Sequence, residues 1–176
     1  PLEVVEERPA EVAVDGNPAI PRRPQLGQVT LEVGDATVVV HTGLVAAADD
    51  LLVERSTLSG NFTTNDDSEG GAIYSFTTGD ITVRDSTLSG NSTSGILSDG
   101  GAIYNYSGVL TITNSTLSGN STAGASSEGG ALYSRLGEVR VTNSTLTRND
   151  AAQSAGGAIY SNSAPITILN SIVAEN

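Results

Sequence analysis

Carboxylates dominate the reactive side chains of this sequence. Asp and Glu number 20 against 8 Lys and Arg, a formal charge of −12, and every base is Arg. The tightest acid clusters are Asp49-Asp50 and Asp66-Asp67-x-Glu69. Two carboxyls at a set separation are the chemistry of glycoside hydrolysis. Acids adjacent on one loop, however, are ordinarily solvated side chains. His41 is the single His and follows the apolar run Val38–Val40, so it reads as an isolated imidazole rather than a general base. Cys is absent, which excludes thiol catalysis, disulfides and Cys-ligated metals. No Ser/His/Asp set, phosphate-binding Gly loop or ligand-spaced His pair is present. Asp66, Asp67, Glu69, Asp99 and Glu128 fall in equivalent loops and could bind Ca²⁺ weakly, but a dedicated site takes roughly six to eight oxygens. The expectation is a protein with no catalytic residue, cofactor or resident metal. Nucleic acid is excluded as a partner by the acidic balance, and no run approaches the roughly 18 apolar residues of a membrane span.

The residues that recur, rather than those that react, carry the information. Ser56-Thr57-Leu58-Ser59-Gly60-Asn61 returns at Ser86–Asn91 and Ser115–Asn120, and in altered form at Ser144–Asn149 and Ser171–Asn176, with offsets of 30, 29, 29 and 27 residues. Gly70-Gly71-Ala72-Ile73-Tyr74 returns at Gly100–Tyr104, Gly129–Tyr133 and Gly156–Tyr160. An alternating apolar pair precedes each first block: Leu51/Val53, Ile81/Val83, Leu110/Ile112, Val139/Val141 and Ile166/Ile168.

One repeat therefore holds three short β-type runs separated by Gly, Asn, Asp and Ser, with no apolar spacing of helical period. A single repeat cannot bury its apolar face, but stacked repeats can, with equivalent strands in parallel about 4.7–4.9 Å apart. The predicted fold is all-β: a right-handed parallel β-helix with three short strands per coil of 27–30 residues. A β-propeller is excluded because its blades need about 40 residues. Leu58, Leu88, Leu117, Leu146 and Val173 should form one apolar ladder, and Ile73, Ile103, Leu132 and Ile159 another. Asn61, Asn91, Asn120, Asn149 and Asn176 each close a strand and should hydrogen-bond to their copies as an amide ladder. Asp85, Asn114, Asn143 and Asn170 are read the same way. Several of these Asn stand in N-x-S/T triplets, but residues that repeat as structural corners are poor glycosylation acceptors. Tyr74, Tyr104, Tyr133 and Tyr160 read as stacked packing more than a sugar platform. Thr57/Ser59, Thr87/Ser89, Thr116/Ser118 and Thr145/Thr147 face outward, an array that would suit ice if it were not simply good strand chemistry.

The first 50 residues differ in kind. They contain no Ser, against 21 in residues 51–176, and five of the six Pro lie within the first 24 residues. Residues 1–25 read as a Pro-rich extended arm or linker, 26–50 as a first atypical coil or cap strands, and 51–176 as the repeats. The chain opens on Pro1 with no initiator Met, which reads as a processed chain.

The GGA[I/L] motif at Gly70–Ile73, Gly100–Ile103, Gly129–Leu132 and Gly156–Ile159, alternating with apolar-x-x-Asn, resembles the repeats of the polymorphic outer-membrane protein family. It is also similar to right-handed β-helix repeats of large bacterial surface proteins. The family's second motif usually begins with Phe, where this chain has Leu or Val. The 176 residues are far fewer than in family members, and a C-terminal transporter barrel is not expected here. The resemblance implies a secreted or cell-surface bacterial scaffold or adhesin. Some β-helices are polysaccharide lyases, which need carboxylate-held Ca²⁺ and a base; this chain has no Lys, and Arg55, Arg84, Arg135, Arg140 and Arg148 do not accompany the acids in a repeated way. Because bare solenoid ends aggregate, the expected function is non-enzymatic: a subunit whose partner is its own copy, stacking head to tail into an extracellular filament or scaffold, with the arm as a clasp. The repeat segment of an adhesin, surface glycans as a further partner, an ice binder and a carbohydrate-active enzyme are the alternatives.

Overall fold

The computed structural model describes residues 50–76 and 78–176, together with the backbone of strands 29–32, 37–38 and 44–46. Residues 1–28, including the predicted arm, lie outside the described residues. The chain is an all-β, right-handed parallel solenoid of about four turns, with no helix among the described residues.

Each coil starts with a four-residue strand, such as Leu51–Glu54, whose side chains alternate inward and outward. Leu51 and Val53 turn in and are 2% and 1% exposed, and their copies Ile81, Val83, Leu110, Ile112, Val139 and Val141 are at 0–1%. A left-handed residue then bends the chain into a second strand, Thr57–Ser59, which turns in only Leu58. Another left-handed residue, Gly60, turns it again. After a loop, the strand Ile73–Ser75 completes the coil. The three strands expected in each coil are present, and a fourth accompanies them. It is a two-residue ladder placed directly after the Asn: Phe62–Thr63, Ser92–Thr93, Ser121–Thr122 and Asp150–Ala151. Two residues are too few to show alternation, so only the pairing of neighbouring coils defines this element.

Four parallel sheets result, of six, four, five and six strands. Strands 29–32, 37–38 and 44–46 pair onto the first repeat coil through Val29↔Leu51, Thr37↔Thr57 and Leu44↔Ile73. Register is strict, with Leu58↔Leu88, Leu88↔Leu117 and Leu117↔Leu146 facing one another. The core is thus a set of axial columns, each buried Leu, Ile or Val contributing about 1.5–3 kcal/mol against exposure. A one-residue slip would turn every column outward, which is why the register is specified.

Candidate functional site

The predicted amide column is an uninterrupted ladder through the interior. The left-handed corner before it points each Asn inward, and Asn61, Asn91, Asn120 and Asn149 are at most 1% exposed. Each Asn uses its backbone N–H and its Nδ2 together on the Oδ1 of the next copy. For Asn91 to Asn120 these distances are 3.0 and 2.9 Å, and for Asn120 to Asn149 they are 3.1 and 2.9 Å. The second Nδ2 hydrogen of Asn120 goes to the Leu88 carbonyl at 3.0 Å. Asn176 receives Asn149 in the same way, at 3.0 and 2.8 Å. Asn61 Oδ1 is buried and has no hydrogen-bond partner among the described residues. Asn61 and Asn91 stand in N-x-S/T triplets, but their burial leaves no amide for a glycan.

The companion column differs from its expectation. Asp85, Asn114 and Asn143 are exposed, with φ of 52°, 49° and 50°, and Asn170 repeats that conformation at 49°. They are corner residues rather than an interior ladder, joined only by Asn114 Nδ2 donating to Asp85 Oδ1 at 3.2 Å. Asn and Asp tolerate the left-handed region better than other side chains, which explains the residue type without inter-coil bonding.

Two interior hydroxyl ladders were missed by sequence reasoning. The Ser56, Ser86, Ser115 and Ser144 hydroxyls each donate to a carbonyl two residues back, while the hydroxyls of Ser86, Ser115, Ser144 and Ser171 accept the backbone N–H of the Ser one coil before. Ser98 and Ser127 accept from Ser68 and Ser98 in the same manner. The signal was available: Ser opens all five copies of the first motif. Ser is so common in exposed turns that repetition alone did not mark it as buried.

The Gly-Gly pairs divide two jobs. Gly70, Gly100, Gly129 and Gly156 have φ of 65–75°. Their neighbours Gly71, Gly101, Gly130 and Gly157 lie where coils touch, and a Cβ on Gly101 would stand 2.2 Å from the Gly130 carbonyl oxygen.

Among the described residues, several candidate acids tie neighbouring coils together. Asp66 Oδ1 accepts the Ile96 N–H at 2.8 Å, and Asp67 is an exposed left-handed corner with φ 53°. Asp50, Asp80 and Asp99 accept the backbone N–H of Asp80, Val109 and Glu128 at 2.7–2.9 Å. Asp49 and His41 lie outside the described residues. No group of three or more His, Asp or Glu is placed to hold a metal ion among the described residues. Burial, above all, pushes the Glu69 carboxyl above the usual carboxylate range, with Asp99 and Asp67 adding to it. Burial does the same to Asp99, reinforced by Glu128.

Tyr74, Tyr104, Tyr133 and Tyr160 stack one above another with ring centroids 5.2–5.4 Å apart. Tyr104 and Tyr133 lie within 4° of parallel and are 6% exposed, so their faces cover each other instead of lying open to a sugar. The acid column runs beside their hydroxyls. Burial and then the Glu69 charge push the Tyr104 hydroxyl up to about 12, and the Glu128 charge, with burial, raises Tyr160. The outward Thr57, Thr87, Thr116 and Thr145 are half-buried in strict register.

The coil from Gly156 carries the columns on. Ile166, Ile168 and Val173 continue the apolar columns but are 42%, 41% and 45% exposed, while Val139, Val141 and Leu146 one coil earlier are at 0%. Two outward positions also become apolar only here: Leu169 pairs with Thr142 and Ile172 with Thr145.

A family model described as a right handed beta helix region matches residues 41–173. No curated protein and no solved structure matches the chain.

Proposed function

Because the chain belongs to the right-handed beta helix family, we propose that it is a non-enzymatic scaffold of the bacterial surface or extracellular space, and that its coils stack onto those of another copy of the chain. The carrying observation is the way one coil is complementary to the next: Leu58, Leu88, Leu117 and Leu146 pair in strict register, and Asn91, Asn120 and Asn149 hydrogen-bond to their copies across each coil boundary. A β-coil of a second copy can supply the same backbone hydrogen bonds and the same columns. A heterologous contact of this kind adds copies in one direction.

The resemblance of the GGA[I/L] repeats to polymorphic outer-membrane protein repeats supports the surface setting. The hydrogen bonding of Asp50, Asp66, Asp80 and Asp99 to backbone N–H groups supports a structural role for the acids. Sedimentation velocity across a hundredfold concentration range, with negative-stain imaging, tests the stacking. Concentration-dependent, unbranched assemblies that Ile168→Asp and Val173→Asp disperse are expected. A folded wild-type chain that stays monomeric throughout would overturn it. Turnover of any acidic or neutral polysaccharide by the purified chain would overturn the non-enzymatic part.

A further inference from the structure

One corner of the solenoid carries aromatic rings that coil-to-coil stacking does not use. Phe76, Tyr106 and Arg135 follow the paired residues Ser75, Asn105 and Ser134, so they share one position in successive coils. The register continues past the strands: the Tyr106 N–H donates to the Ser75 carbonyl and the Arg135 N–H to the Asn105 carbonyl, both at 2.9 Å. Phe76 is 48% exposed, and its ring lies 5.7 Å from Tyr74, which begins the Tyr stack. Half-buried Glu69, Asp99 and Glu128 border that stack. The Glu69 charge acts on Tyr74 and Tyr104, and the Asp99 and Glu128 charges act on Tyr133.

Charge and ring geometry together define the chemistry that fits this corner. Among the described residues, Arg55 and Arg84 pair with Glu54, Arg140 with Glu138 and Arg148 with Glu175, while Glu69, Asp99 and Glu128 take part in no ion pair. Burial, and then the neighbouring carboxylates, raise the Glu69 and Asp99 carboxyls, a cost that a cation beside them would offset. The face already seats one guanidinium: Arg135 lies 5.2 Å over the Tyr106 ring, and its charge reaches Glu69. Phe76 holds the Tyr106 position one coil earlier, about 4.8 Å along the axis. Among the described residues no guanidinium lies over its ring. Arg suits both parts of the corner, since its planar head stacks on a ring and forms paired hydrogen bonds with a carboxylate, whereas the Lys ammonium is a strongly hydrated point charge. We infer that this corner is a docking surface for an Arg-rich segment of a partner protein, with one guanidinium on Phe76 as Arg135 lies on Tyr106, and others facing Glu69 and Asp99.

Fluorescence anisotropy with labelled hexa-arginine and hexa-lysine tests the docking on the full chain at low salt. Hexa-arginine should bind about tenfold more tightly than hexa-lysine, although the two carry equal charge. Phe76→Leu keeps an apolar side chain and removes the ring, and should bring hexa-arginine to within about threefold of hexa-lysine. Glu69→Gln with Asp99→Asn should weaken hexa-arginine by about tenfold. The new amide keeps an oxygen for the Glu128 N–H, which Asp99 accepts at 2.7 Å. Glu175→Gln, which removes an acid paired with Arg148 outside this corner, should leave the affinity unchanged. Far-UV circular dichroism should match wild type in every variant. Equal affinity for the two peptides would overturn the proposal. So would a preference for Arg that neither Phe76→Leu nor the Glu69 and Asp99 pair of changes reduces, which would place the binding elsewhere on the acidic surface.

Discussion

Replacing Asn120 by Ala should cost far more than the same change at Asn61, although both are interior members of one column. The Asn120 side chain takes part in four hydrogen bonds: two accepted from Asn91 at 3.0 and 2.9 Å, and two donated, to Leu88 at 3.0 Å and Asn149 at 2.9 Å. Truncation strands the Asn91 backbone N–H and one Nδ2 hydrogen inside a site at 0% exposure. Each buried orphan costs about 1–3 kcal/mol, so the expected loss is about 2–6 kcal/mol. Among the described residues Asn61 accepts no hydrogen bond through Oδ1, and its Nδ2 donates to an oxygen that keeps the Asn61 backbone N–H as a partner. Asn61→Ala strands no donor and should cost about 0.5–1.5 kcal/mol. Urea unfolding followed by far-UV circular dichroism measures both, provided the slopes agree. Thermal midpoints should differ from wild type by about 2–4 °C per kcal/mol for a chain of this size. Equal losses at the two positions would refute the ladder argument. Asn120→Asp sharpens the test. It sets a second acceptor against the Leu88 carbonyl and Asn149 Oδ1, and burial raises the folded pKa of the new carboxyl above the unfolded value near 3.9. Its stability should match wild type best below about pH 4 and fall behind as pH rises through the folded pKa.

Other expectations follow from the same geometry. Gly101→Ala drives a Cβ to 2.2 Å from the Gly130 oxygen and 2.5 Å from the Ser121 oxygen, and should cost about 3 kcal/mol or more, whereas Gly90→Ala, with nothing within 4 Å, should cost only the left-handed penalty of about 1–2 kcal/mol; chemical denaturation separates them. Glu69 and Asp99 have folded pKa values raised by burial, so Glu69→Gln with Asp99→Asn should match wild-type stability at pH 3 and exceed it at pH 7, as thermal melts across that range will show. Ultraviolet titration at the tyrosinate band should show a phase near pH 12 that Tyr104→Phe removes.

Most of the fold was legible because it is written once per coil. Period, strand pairs and columns could be read from offsets of 27–30 residues, since a repeat that cannot bury itself alone leaves few solutions. Three features escaped for physical reasons. The Phe62–Thr63 ladder exists only through its neighbours, and two residues carry no periodicity. The Ser56 and Ser98 ladders look like surface chemistry until their burial is known. Asn61 and Asn114 stand in similar sequence contexts but at corners of opposite sense: one follows the left-handed residue and points in, the other is the left-handed residue and stays out. The acid and Tyr columns were found in the sequence, but their adjacency was not, because residues 69 and 104 meet only across a coil boundary.

The amide ladder gives the molecule a direction. Every amide-to-amide bond along it runs from an Asn donor nearer the N-terminus to an acceptor one coil on, and the backbone-to-hydroxyl bonds of the Ser56 ladder run the same way. Aligned amides polarise one another, so such a file behaves as a wire with a sign at each end. At one end of the described file Asn61 Oδ1 has no partner among the described residues, and at the other Asn176 accepts from Asn149. Any coil added to the file meets a vector: an aligned coil lengthens the wire, and an inverted one sets like poles together.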